Sequence, residues 1–109
     1  HVDDLADACL FAAENWDPHN NDAPRLKDGK PLYFLNVGTG KDITIKELAK
    51  KIALLTNYKG KIIWDESKPD GTQKKQLDIS RISKLGWSPK IKLDEGLSQE
   101  INNFKRSLQ

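Results

Sequence analysis

An almost continuous apolar stretch, Leu32–Val37, limits the possible folds of this chain more than any other feature. A short run of this kind, interrupted only by Asn36, is typical of a strand that is covered on both faces. Gly38 and Gly40 end the run, and a second apolar stretch, Lys61–Asp65, follows an intervening helical pattern. A strand, a helix and a second strand in this order predict a parallel pair joined by a right-handed crossover. The sequence therefore predicts a small, helix-rich α/β fold with few short strands.

Apolar periodicity and capping signals predict the first two helices. The first helix is expected over about Asp3 to Asn15, with Cys9 on its apolar face as an ordinary core residue. Thr44 and Glu47 have the spacing of a capping box, which predicts the start of the second helix. The apolar face of that helix continues to about Asn57.

Two further helices are expected in the last third of the chain. A short helix is predicted over Ile79–Leu85, capped by Asp78 or Ser80 and stopped by Gly86. An apolar stripe within Leu93–Leu108 predicts a terminal helix, with basic residues near its negative end.

Length and composition indicate one small domain over residues 1–109, with a single core. No apolar run approaches the roughly 20 residues that a membrane span needs, and the acidic N-terminal region lacks the apolar segment of a signal peptide. A single cysteine cannot form an internal disulfide. We therefore expect a cytoplasmic protein that does not interact with membranes.

The charge of the chain is unevenly distributed. Residues 1–22 contain six acidic groups and no Lys or Arg, so that 18 basic and 10 acidic groups remain in the rest. A positive bias of this size raises the local concentration of anions such as nucleotides. The sequence has no basic stripe, aromatic strand motif or zinc spacing that would indicate a nucleic-acid-binding module, so nucleic acid is not expected as a partner.

A turn-rich, charged segment, Lys68–Thr72, is the strongest candidate for a binding site. Pro69 fixes its own φ, and Gly71 permits backbone conformations that are closed to other residues. Lys74 and Lys75 follow, where they can meet a phosphate as point charges, and a neighbouring Asp70 carboxylate can accept hydrogen bonds from a sugar or base. The alternative is an ordinary solvated loop, because such loops are rich in Lys, Asp and Gly.

Other candidate motifs favour structural interpretations. The Gly38–Gly40 segment lacks the third glycine of a dinucleotide fingerprint, since position 43 is Ile, and it has no P-loop lysine. Asp3 and Asp4 are consecutive and are assigned to the start of a helix rather than to a catalytic pair. His1 and His19 have no second ligand at metal spacing and are expected to be exposed or to cap helices. No catalytic, cofactor-binding or metal-binding residue is assigned.

A resemblance to a known family covers essentially the whole chain. The residues that carry it are, in order, His1–Ala6, Asn36–Gly40, Thr44–Ala49, Tyr58–Gly60, Trp64–Asp65, Lys68–Thr72, Leu77–Asp78 and Leu85–Trp87. In these segments the chain resembles the C-terminal end of nucleotide-sugar epimerase/reductases of the extended short-chain dehydrogenase/reductase family.

The resemblance implies an N-terminal Rossmann domain that binds NADP and carries a Ser and a Tyr-x-x-x-Lys motif. Neither Tyr33 nor Tyr58 has a Lys four residues later. The chain is therefore expected to be the substrate-binding lobe alone, inactive without its Rossmann partner. The implied parent enzyme, a homodimer, converts GDP-4-keto-6-deoxy-D-mannose to GDP-L-fucose by epimerising the sugar and reducing its ketone with NADPH.

The resemblance also implies roles for three residues of the charged segment. Asp70 matches a substrate contact, and Lys75 matches a basic residue on the nucleotide side of the site. Lys74 stands where the family usually has Arg, which can bind a diphosphate bidentately whereas Lys cannot. Two alternatives stay open: a free-standing anion-binding, nucleotide-binding or interaction module, and the lobe of a related nucleotide-sugar 4-epimerase or dehydratase.

Overall fold

Four helices form the regular structure of the protein. The structure, a computed structural model, describes residues 1–109. The helices are α1 (Val2–Asn15), α2 (Ile45–Leu55), α3 (Ser80–Lys84) and α4 (Leu93–Ser107). All four predicted helices are confirmed, with boundaries that differ by a few residues at most. None of the four is both long and apolar enough to cross a membrane.

The expected small, helix-rich lobe is confirmed, but the two strand assignments are wrong for this chain. Leu32–Val37 and Lys61–Asp65 form no strand, and the sole bridge is an isolated antiparallel one between Arg25 and Pro31. A strand needs the backbone groups of a neighbouring strand, and these apolar residues find none within residues 1–109. The expected cover on both faces is also not observed: Leu32 is fully buried, but Tyr33, Phe34 and Ile63 are exposed.

The chain divides into two compact units, each built from two stretches of sequence. Unit 1 comprises His1–Lys41 and Gln76–Ile91, and unit 2 comprises Asp42–Lys75 and Lys92–Gln109. The core of unit 1 is formed by Ala8, Ile82 and Trp87, with four partly buried hydrophobic residues packed against them: Phe11, Leu35, Val37 and Ile79. The single domain over residues 1–109 stays a prediction.

Helix α1 buries a different face from the one that its apolar pattern indicates. Cys9 is exposed, so its assignment to the core is wrong. Val2 and Leu5 are also exposed, by 65% and 51%, whereas Asp4 and Ala8 are buried. Contacts of two aspartates with the segment that follows α3 explain this choice of face.

Asp4 and Asp7 attach α1 to the segment around Trp87 and Lys90. The carboxylate of Asp4 accepts hydrogen bonds from the backbone N–H groups of Lys90 and Ile91, both at 3.0 Å. Asp7 accepts hydrogen bonds from the Trp87 indole and from the Lys90 ammonium, both at 2.9 Å. Asp4 lies in the first turn of α1, as expected, and its buried carboxylate additionally satisfies two backbone donors of a distant segment.

The environment of Asp7 also favours its charged form. Hydrogen bonds from Lys90 and then from Trp87 hold the pKa of the Asp7 carboxyl below its ordinary value. A charged donor strengthens a hydrogen bond to a carboxylate, and the same contact disfavours protonation. The stability of this part of unit 1 is therefore expected to depend on pH.

Unit 2 is built on the packing of α2 against α4. The predicted capping box is confirmed: the Thr44 side chain accepts from the Glu47 N–H, and the Glu47 carboxylate accepts from the Thr44 N–H. The Lys51 ammonium and the Asp94 carboxylate, 2.6 Å apart, join the two helices. Gly96 is buried in α4. Local capping and one interhelical ion pair thus support a unit with little buried apolar volume.

Replacing Asp4 with Ala is expected to lower the free energy of unfolding by about 2 to 4 kcal/mol, because two partly buried backbone donors lose their acceptor. Chemical denaturation followed by circular dichroism measures this change. Glu14→Ala is the matched control, since Glu14 is an exposed acidic residue of the same helix. Equal stability of the two variants would contradict the structural role of Asp4.

Protonation of Asp7 is expected to destabilise the folded state as the pH falls below about 4. Because the folded pKa is depressed, the stabilisation is complete above the unfolded pKa and is lost as the pH falls through the folded pKa. The stability difference between wild type and Asp7→Asn should therefore be larger at pH 7 than at pH 2.5 in thermal unfolding. Asp70→Asn is the control, because Asp70 is exposed and has no protein partner. A difference for Asp7→Asn that does not change with pH would refute this linkage.

Candidate functional site

The charged segment Lys68–Lys75 lies in unit 2 and is exposed along its whole length. A turn centred on Asp65 precedes it: the Asp65 carboxylate accepts from the Ser67 N–H at 3.1 Å and from the Ser67 hydroxyl at 2.6 Å. These bonds lower the pKa of the Asp65 carboxyl, with the hydroxyl contributing most. The Lys68 N–H adds a longer bond to the Asp65 carbonyl, at 3.4 Å. A local side-chain turn therefore sets the direction in which the segment begins.

The three predicted site residues, Asp70, Lys74 and Lys75, are exposed and have no hydrogen-bond or ion-pair partner in the protein. Their charged groups therefore face solvent and are available to a ligand. Gly71 does not adopt a positive φ, so the special backbone conformation expected there is not observed. The structure keeps these side chains together on one segment, but does not arrange them around a cavity.

A cavity of about 260 Å³ in unit 2 lies beside the C-terminal end of α2. Leu54, Tyr58 and Ile62 form its apolar lining, and Lys50 and Lys59 contribute cationic groups. None of the three predicted site residues lines it. Sequence reasoning missed this cavity, since it assigned no binding role to the residues that follow α2.

The glycine turn Gly38–Gly40 packs against a neighbouring side chain of unit 1. Gly40 has a φ of +67°, and the Ile79 side chain lies 3.2 Å from the position that a Cβ at Gly40 would occupy. The Gln76 side-chain amide also donates a hydrogen bond to the Gly40 carbonyl at 2.6 Å. The structural interpretation of the turn is confirmed.

The segment after the charged loop is fixed by further hydrogen bonds within unit 1. Asp78 accepts from the Ser80 N–H at 2.8 Å, which lowers the pKa of the Asp78 carboxyl. The Asp78 carbonyl accepts from the Asn36 amide at 3.1 Å. Neither predicted cap is observed, since the N-cap of α3 is Ile79 and no side chain caps the helix there; Asp78, one residue earlier, bonds the first N–H of the helix instead. The Asn36 and Gln76 contacts were not predicted, since both partners are distant in sequence.

Neither histidine is placed like a metal ligand. The imidazole of His1 caps α1 by accepting a hydrogen bond from the Asp3 N–H at 3.2 Å. His19 packs edge-on against Tyr33, with ring centroids 5.7 Å apart. No group of three His, Cys, Asp or Glu side chains has a metal-binding arrangement.

Solved structures that share this fold are also similar to the chain in sequence. A GDP-6-OMe-4-keto-L-xylo-heptose reductase from Campylobacter jejuni matches 98% of this chain and 30% of its own, with a TM-score of 0.82 and 32% identity. A GDP-mannoheptose C4 reductase from the same organism, with NADP bound, matches 96% of this chain and 30% of its own, with a TM-score of 0.76 and 31% identity. A scan against models of known protein families gives no match. On the structural and sequence similarities together, the chain belongs to the extended short-chain dehydrogenase/reductase family.

Within that family the chain is similar to the GDP-L-fucose synthases. It is 45% identical to GDP-L-fucose synthase of Escherichia coli K12 over 109 residues, covering 95% of this chain and 31% of the relative. It is 41% identical to GDP-L-fucose synthase 1 of Arabidopsis thaliana over 108 residues, covering 99% of this chain and 29% of the relative. The chain thus spans about three tenths of the length of these relatives.

Replacing Gly40 with Ala is expected to destabilise the protein by about 1 to 2 kcal/mol, because an L-residue is strained at a positive φ. Gly71→Ala is the matched control, since no atom lies within 4 Å of its Cβ position and its φ is not positive. Urea denaturation of both variants provides the test. Equal stability of the two variants would show that the positive φ of Gly40 does not constrain the turn.

Proposed function

We propose that this chain is the nucleotide-sugar-binding lobe of an NADP-dependent epimerase/reductase that converts GDP-4-keto-6-deoxy-D-mannose to GDP-L-fucose. The observation that carries the proposal is the 41% to 45% identity, over nearly the whole chain, to proteins named GDP-L-fucose synthase. The GDP-heptose reductases of similar fold support the same class of substrate, a GDP-sugar. The proposed parent enzyme is a cytoplasmic homodimer.

In this proposal the charged segment contacts the substrate. Lys74 and Lys75 meet the diphosphate, and Asp70 accepts hydrogen bonds from the sugar or ribose. Their exposure and their lack of protein partners support this assignment, because no internal contact has to break before a ligand binds. Lys74 acts as a point charge on the phosphate, since it lacks the planar donor fork of Arg.

The proton and hydride transfers are assigned to a Rossmann domain outside this chain. Bound NADPH supplies the hydride that reduces the ketone. The residues of this chain bind and orient the nucleotide end of the substrate. The many exposed apolar side chains of unit 1, such as Val2, Leu10 and Phe34, support a lobe that is packed within a longer protein.

A related 4-epimerase is the second candidate. A putative UDP-glucose 4-epimerase of Methanocaldococcus jannaschii is 33% identical over 74 residues, covering 68% of this chain. The two candidates differ in nucleotide and in reaction: the first requires GDP and net oxidation of NADPH, and the 4-epimerase produces no net NADPH oxidation. Assay of the full-length enzyme with both nucleotide-sugars, monitored at the NADPH absorbance band, separates them.

A free-standing anion-binding, nucleotide-binding or interaction module remains the candidate from a different class. The full reading frame distinguishes it from the enzyme lobe. A Gly-rich strand-to-helix turn and a Tyr-x-x-x-Lys motif would support the enzyme, and their absence would favour the module.

In the full-length enzyme, Lys75→Ala is expected to weaken GDP binding by about 1.5 to 3 kcal/mol, the usual size for a charge-assisted hydrogen bond. The contact is made to a distal part of the substrate and is similar in the ground and transition states. KM should therefore rise more than kcat falls. Because Lys75 is exposed, the effect should decrease with added salt. Isothermal titration with GDP and steady-state kinetics measure both quantities.

Lys61→Ala is the control for this experiment, since Lys61 is also exposed in unit 2 and has no protein partner. Asp70→Asn is expected to cost less than Lys75→Ala if Asp70 accepts a single hydrogen bond. Unchanged GDP affinity in Lys75→Ala would remove this residue from the phosphate site.

A further inference from the structure

A second cavity, in unit 1, concentrates positive charge away from the charged segment. Its volume is about 260 Å³, and it lies between the loop that follows α1 and the short helix α3. The residues that line it are Asp22, Pro24, Arg25, Arg81, Lys84 and Leu85. Three cations and one carboxylate thus face the same small space, bounded by apolar side chains.

Backbone and packing contacts support the elements that carry the cations of this cavity. Arg25 forms the isolated bridge with Pro31, and its guanidinium donates a hydrogen bond to the Asn20 carbonyl at 3.0 Å. Arg81 and Lys84 are three residues apart on α3, so they lie on the same side of the helix. Ile82 lies between these two residues in the sequence, and its completely buried side chain anchors the helix. The positive groups therefore belong to supported elements rather than to a mobile surface.

The charge of the cavity is not neutralised by ion pairs. Neither Arg25 nor Arg81, both half-buried, has a carboxylate within ion-pair distance, and the same holds for Lys84. Arg81 and Lys84 also act on the Asp78 carboxylate, but the hydrogen bonds from Ser80 contribute most to lowering its pKa. Three cations against the single lining carboxylate of Asp22 leave the cavity with excess positive charge, and a bound anion would offset the repulsion between them.

We propose that this cavity binds a phosphate group, either as free phosphate or as the phosphate of a small monoester. Two guanidinium groups provide planar donor forks that match phosphate oxygens, and an ammonium adds a compact charge. The volume is below the roughly 300 to 1,000 Å³ of sites that enclose whole drug-sized ligands, which favours a small anion over an entire nucleotide-sugar. The site is separate from the charged segment Lys68–Lys75 and does not depend on the function proposed for it.

Phosphate binding is tested on the full chain carrying Lys74→Ala and Lys75→Ala, so that the charged segment does not contribute. Isothermal titration at low ionic strength should show saturable binding of inorganic phosphate. Adding Arg81→Gln should lower the affinity at least about tenfold, as expected for loss of a charge-assisted hydrogen bond. Lys46→Gln is the matched control, because Lys46 is an exposed cation of α2 with no protein partner, outside the cavity. Its phosphate affinity should be unchanged.

A sugar phosphate, titrated in parallel, identifies the source of the group. Tighter binding than that of inorganic phosphate indicates a monoester, and equal binding indicates free phosphate. The proposal is overturned if phosphate shows no saturable binding, if Arg81→Gln binds as well as its parent, or if an acidic peptide binds and phosphate does not. If Arg81→Gln fails to fold by near-ultraviolet circular dichroism, Lys84→Gln decides the outcome, because Lys84 is exposed.

Discussion

The buried carboxylate of Asp4 is the contact on which the arrangement of unit 1 depends. It accepts two backbone N–H groups from residues more than 80 positions away in the sequence. A buried carboxylate without such partners would be strongly unfavourable, and so would the two backbone donors without an acceptor. Each therefore requires the other, and the pairing decides which face of α1 packs inward.

The consequences of this contact extend through the core of unit 1. With Asp4 and Asp7 directed at Lys90 and Trp87, the small side chain of Ala8 is placed in the core, and the Trp87 ring packs there with its indole N–H satisfied by Asp7. Val2, Leu5 and Leu10 of α1 are exposed instead, whereas Phe11 packs against the core. A polar contact thus overrides the apolar pattern of the helix, because an unsatisfied buried charge costs more than a few exposed aliphatic groups.

The two candidate binding regions differ in how the protein supports them. The segment around Lys75 has no internal partners, so a ligand has to order these side chains as it binds, and that ordering reduces the affinity gained from each contact. In the unit 1 cavity, Arg25 is held by a backbone bridge and a hydrogen bond, and the backbone that carries Arg81 and Lys84 belongs to a helix anchored by Ile82. Such preorganised charges are better suited to a small anion, because less conformational freedom is lost on binding.

The sequence by itself determined the features that arise from contacts within a few residues. The capping box of Thr44 and Glu47 and the glycine stop at Gly86 could both be predicted, because each depends on short-range hydrogen bonds or on backbone freedom. The charged segment could also be identified from the sequence, because its composition alone makes it polar and rich in turn-forming residues.

Only the tertiary structure decided which groups meet over long distances. It placed Asp4 against Lys90, left Cys9 exposed, gave Leu32–Val37 no strand partner and brought Arg25 to Arg81. Periodicity shows how apolar a helix face or a strand is. It does not specify which distant donor or acceptor bonds a polar group on that helix, or which strand pairs with that strand. That choice belongs to the folded chain, because the free energy of burial depends on partners that are not adjacent in sequence.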